Sequence, residues 1–101
     1  MEADGFDWDE GNTKKCQKHG VSLNEIEFLF MSGPFVGPDY KHSDAEMRFH
    51  AIGRTVAGRA LIVTFTWREI AGEHLIRPVS ARYMHQKEIE NYEKALSASH
   101  Q

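Results

Sequence analysis

ALIVTFTW, Ala60 to Trp67, is the stretch that decides the fold. It is dense in β-branched and aromatic side chains, which suit a pleated, half-buried surface, so it predicts a strand. Turn residues bound it on both sides, Val56-Ala57-Gly58-Arg59 before it and Arg68 to Glu73 with Gly72 after it. A strand from about Met47 to Thr55 precedes the first turn, and His74 to Ala81 returns as a strand after the second. Three strands joined by short turns predict an antiparallel meander. In the last of them Leu75, Arg77, Val79 and Ala81 are expected to share one side. Pro78 has no N–H to donate, so that strand is expected at an edge or locally irregular there.

Working towards the N-terminus, the signals become helical. Ser22 with Glu25 makes the Ser-x-x-Glu box that opens a helix, and Leu23, Ile26, Leu29 and Phe30 give it an apolar stripe. An earlier helix is expected from Asp9, its cap, to about His19, with Gly20 as its stop. Phe6 and Trp8 alternate with Asp7 and Asp9, which predicts a short first strand. Ser32-Gly33-Pro34, Gly37-Pro38-Asp39 and the polar residues 39–46 read as loop. Beyond the meander, a last helix is expected from about Tyr83 or Met84 to Leu96. The order β-α-α-β-β-β-α is that of an α+β protein, and 101 residues form a single domain.

Composition narrows the functional classes. No apolar run reaches the roughly 18–20 residues that cross a bilayer. The acidic start MEADGFDWDE lacks the apolar core of a signal peptide, and one cysteine, Cys16, excludes an internal disulfide framework. A cytoplasmic protein is expected. The net charge of −3 hides a strong asymmetry. Residues 1–10 hold five acids and no base, whereas residues 41–87 hold eight Lys and Arg against four acids. Arginine forks match phosphate geometry, so the middle of the chain leans towards an anionic ligand. The competing reading is that Arg48, Arg68, Arg77 and Arg82 simply pair with neighbouring acids.

Histidine is the usual acid or base near neutral pH, and the chain has six. None has the spacing of a zinc site; Cys16 and His19 make half of one and nothing completes it, so no metal and no cofactor are expected. There is no glycine-rich phosphate loop and no nucleophile elbow. Ser80 in VSAR is a conceivable nucleophile, although a strand-end serine is more often a cap or turn residue. Lys18 and His19 stand at the end of the first helix, where the macrodipole alone favours positive charge by typically ~0.3–1 kcal/mol.

Five segments in order, FDWDE (6–10), KHGVS (18–22), HSDAEMRFHAIG (42–53), FTWR (65–68) and LIRPVSARYMHQKE (75–88), resemble the BrnT family of bacterial toxins. The resemblance spans almost the whole chain. It implies a RelE-like fold and a type II toxin that acts as a ribonuclease and blocks translation. It implies a BrnA-type antitoxin as partner, with operator DNA reached only through that antitoxin, and no membrane. Residue by residue, it carries the KHG motif to Lys18 and His19, the strand-end arginine to Arg68, the IRxxSAR motif to Arg77, Ser80 and Arg82, and the ExRF motif to Glu46 and Arg48. Metal-free RNA cleavage needs an acid, a base and cations for the phosphate. The expected roles are acid–base for His19 or His85, phosphate contact for Arg68 and Arg82, and backbone binding for Lys18, with Arg48, Arg77 and Ser80 on the RNA. Where relatives are expected to carry a basic last helix, this chain has Glu88, Glu90 and Glu93, which suit a protein partner better than RNA. The alternative is a non-catalytic domain on the same fold that binds a DNA-binding antitoxin as a transcriptional co-repressor.

Overall fold

A computed structural model describes residues 2–99. It is an α+β structure in which a five-stranded mixed sheet carries helices. Strand β1 (Gly5–Phe6) leads into α1 (Glu10–Gln17) and α2 (Leu23–Met31). Strand β2 (Phe35–Pro38) and a single 3-10 turn (Tyr40–His42) follow, then β3 (Phe49–Arg54), β4 (Ala60–Ile70), β5 (Glu73–Tyr83) and α3 (Gln86–Ser99). The sheet order is β1-β5-β4-β3-β2, with β1 parallel to β5 and the other pairs antiparallel.

Helix starts follow local chemistry. Asp9 caps α1 in a reciprocal box with Asn12, and Ser22 caps α2 in the same way with Glu25. Gly20, at φ +87°, takes the left-handed conformation that ends the first helical segment. Helices α1 and α2 pack on one face of the sheet, α1 against β5 and α2 against β3. Between them lies a core of Cys16, Val21, Ile26, Leu29 and Phe30 from the helical side and Ala51, Leu61, Val63, Phe65, Ile76 and Ala81 from the sheet. Phe30 meets the Phe65 ring edge-on at 5.0 Å between centroids. Burial pushes the Cys16 thiol up to about 11, so it is a core atom and not a reactive thiolate.

The expected meander is present as β3-β4-β5, but it is not the whole sheet. Residues 35–38, expected as loop, form a fourth antiparallel strand on β3. The prolines that suggest a loop are tolerated because β2 is an edge. The strand holding Pro78 is not at an edge, since β5 lies between β1 and β4. It is irregular at Pro78 instead. Thr64 pairs with Ser80 while Phe65 pairs with Pro78, so Val79 is an extra residue, a β-bulge. Side-chain alternation changes parity there, and the expected set Leu75, Arg77, Val79 and Ala81 does not share a side. Ile76, Pro78 and Ala81 are the buried positions, leaving Arg77, Ser80 and Arg82 away from the core.

Candidate active site

The bulge builds the site. A strand without it would send Arg77 to one face and Ser80 and Arg82 to the other, because their spacings are three and two residues. With it, all three share the face opposite the core, beside Thr64 and Ile62 of β4 and His50 of β3. Asn12 fixes α1 against this point: its side-chain amide donates to the Pro78 carbonyl at 2.9 Å and to the Asp7 carbonyl at 2.9 Å.

Two clefts lie here. The first, about 320 Å³, is lined by His19, His42, His50, Thr64, Ser80 and Arg82, among others. Its histidines come from the loop after α1, the 3-10 turn and β3. Asp39 underlies two of them. The His42 Nδ1 and Asp39 Oδ2 atoms are hydrogen-bonded at 2.8 Å, and His50 Nε2 lies 2.8 Å from the same oxygen. Burial raises the Asp39 carboxyl, but the His42 hydrogen bond and the charges of His50 and His42 outweigh it, so the group sits below the usual carboxylate range. The loop is closed on itself where it enters β3, because Asp39 N–H donates to the Arg48 carbonyl at 2.8 Å and Arg48 N–H donates to Ser43 Oγ at 2.9 Å. Arg82 donates through both Nη atoms to Glu88, at 2.7 and 2.8 Å. That bidentate pair, together with the His85 backbone N–H, pulls the Glu88 carboxyl down to about 2, and Glu88 raises Arg82 in turn.

The second cleft, about 400 Å³, is lined by Asn12, Lys15, Glu46, Arg48, Arg68 and Arg77, among others. Arg68 engages both oxygens of Glu46, with Nη2 3.2 Å from Oε1, and this hydrogen bonding lowers Glu46. Arg77 reaches Asp9 at 2.8 Å and Asp7 at 3.1 Å. Burial opposes its charge, but these two acids win and raise it. Arg48 differs from both, for its Nε is buried with no hydrogen-bond partner. An unmet buried donor of this kind costs ~1–3 kcal/mol.

The structure thus gathers His19, Ser80 and Arg82 into one cleft and Glu46, Arg48, Arg68 and Arg77 into the other. Lys18 caps the end of α1 and His85 precedes α3; both are exposed and line neither cleft. His100 lies outside the described residues. Sequence reasoning passed over Asp39, His42, His50 and Lys15. The Asp-x-x-His spacing of DYKH was the available signal for the first two, and nothing local joins them to His50. Asp39, His42 and His50 are also the group whose ligand atoms, all within 4.8 Å of one another, suit a metal ion.

No helix among the described residues is long and apolar enough to cross a membrane. A family model described as the ribonuclease toxin BrnT of type II toxin–antitoxin systems matches residues 8–88. Among curated proteins none matches the chain.

Proposed function

The chain belongs to the BrnT family of ribonuclease toxins of type II toxin–antitoxin systems, and from that premise we propose that it is an endoribonuclease that cleaves RNA without a metal ion and so inhibits translation. The 2′-hydroxyl attacks the adjacent phosphorus, forming the 2′-O–P bond as the P–O5′ bond breaks. One imidazole takes the hydroxyl proton and another gives a proton to the leaving 5′-oxygen. His19 and His50 are the two proton carriers. Arg82 meets the charge that builds on the phosphorane oxygens, exchanging Glu88 for phosphate. Ser80 and Thr64 offer hydroxyls to the same phosphate. The arginine cleft holds a neighbouring backbone phosphate through Arg48, Arg68, Arg77 and Lys15, and Lys18 adds charge at the approach. Dependence on the 2′-hydroxyl makes the enzyme spare DNA.

One observation carries this reading: His19, His50 and Arg82, from three separate parts of the chain, converge on a single cleft. The fold we assign is RelE-like and the compartment cytoplasmic. The partner is a BrnA-type antitoxin that neutralises the toxin and alone contacts operator DNA.

The test is cleavage of a defined RNA by the purified chain in EDTA, together with growth after induction without antitoxin. Fragments ending in 2′,3′-cyclic phosphate or 3′-phosphate, with growth arrest, are expected. Intact RNA from folded protein would overturn the enzyme and leave the second reading, a partner-binding co-repressor domain. That reading draws on the carboxylates already seated on Arg68, Arg77 and Arg82.

A further inference from the structure

We propose that Asp39, His42 and His50 form a site for a divalent transition-metal ion of the zinc type, and that its occupancy shuts off the histidine cleft. Two imidazole nitrogens and one carboxylate are a borderline-soft donor set of the kind zinc and its neighbours prefer. Two features indicate a prepared site. Asp39 is buried, with its side chain 3% exposed, and both nitrogens converge on its Oδ2 at 2.8 Å. Its other oxygen accepts the His42 backbone N–H at 3.3 Å, which fixes the carboxylate as an outer-shell partner would. Ligand atoms around a tetrahedral zinc stand about 3.3 Å apart, given bonds of about 2.0–2.1 Å. An entering ion must therefore widen the two 2.8 Å contacts to Oδ2 and displace the imidazole protons that face it. His42 is able to move in this way, because its side chain is 57% exposed on a one-turn segment. Three protein ligands leave a fourth position open, and His42 and His50 both line the cleft.

The inhibitory half rests on the ribonuclease reading above. In the free chain His50 Nε2 faces Asp39; with an ion on that nitrogen, the ring holds its proton at Nδ1 and can act there neither as a free base nor as an imidazolium acid.

Cobalt(II) is the probe, because in a tetrahedral nitrogen–oxygen site it absorbs in the visible. One equivalent of cobalt, displaced by zinc, is expected for the native chain. His42→Ala and His50→Ala are each expected to weaken it by more than the about 10–100-fold that follows loss of a supporting residue. His74→Ala, at a distant histidine, is expected to leave it unchanged. No visible band, or equal binding in all four proteins, would overturn the site. The second arm is cleavage of RNA with and without one equivalent of zinc. Inhibition of the native chain with resistance in His42→Ala supports the switch; equal inhibition of both, or full activity with zinc bound, sinks it. If neither protein cleaves RNA at all, the ribonuclease reading and the switch fall together, while the cobalt data still decide the site.

Discussion

The two clefts on the outer face of the sheet are built from similar residues and differ in how their charges are met. In the arginine cleft, Arg68 and Arg77 are held by Glu46, Asp7 and Asp9, and Arg48 keeps a buried donor unmet. In the histidine cleft one arginine, Arg82, stands beside three imidazoles and has a single carboxylate partner, Glu88. The first arrangement suits holding a phosphate that does not react. The second sets a cation beside imidazoles, the combination of charge and acid–base groups that a reacting phosphate requires. Composition alone cannot separate these roles, because arginine serves both.

Substitutions in each cleft test this division. The largest effect is expected for His19→Ala, which should lower the cleavage rate by ~10²–10⁴-fold, the usual share of a general acid or base. His19 is exposed, so thermal unfolding should be unchanged. A rate within a few-fold of native in a folded variant would move the proton transfer to another histidine. Arg82→Ala should lower kcat by ~10²–10³-fold, as loss of a preorganised donor does. Arg82→Lys should restore little of this, since an ammonium cannot replace a bidentate fork.

Substitutions in the arginine cleft should act differently. Arg48→Ala and Arg68→Ala are expected to raise KM several-fold with kcat nearly unchanged, and each should reduce the salt slope of RNA binding by about 1. If they reduce kcat as strongly as Arg82→Ala does, the two clefts act as one site and the division fails.

The smallest effect concerns Glu88. Its folded carboxyl stands at about 2, against an ordinary 4.5. A depressed folded value stabilises the protein above the unfolded value, and the gain disappears as pH falls from about 4.5 to about 2. Glu88→Gln should therefore cost about 1 kcal/mol at neutral pH, from a partly exposed ion pair and a weakened cap, and little near pH 2. The same change should strengthen RNA binding by freeing Arg82. An equal stability difference at both pH values would mean that the loss is one of packing.

Much of the fold was legible because its signals are local. The Ser22–Glu25 box, the Asp9 cap, the stop at Gly20 and the β-rich run at 60–67 each act within a few residues, and each appears where expected. Strand β2 was hidden because Gly37, Pro34 and Pro38 signal a loop locally, whereas an edge pairing to β3 overrides them. The irregularity at Pro78 was also legible, but not its consequence. Phe65 lies opposite Pro78 and Thr64 opposite Ser80, and only that pairing turns Arg77, Ser80 and Arg82 to one face.

Local signals along the chain thus announce the helices, the central meander, the arginine-rich middle and a family resemblance that the matched residues 8–88 bear out. Which of those residues meet depends on contacts between distant parts of the chain. Asp39 and His50 are brought to one contact by the closure of the 39–48 loop at the start of β3, and His19 reaches the same cleft from the far end of α1. Secondary structure is written in periodicities a few residues long. A cleft is written in pairings between strands, where one inserted residue exchanges the faces of everything beyond it.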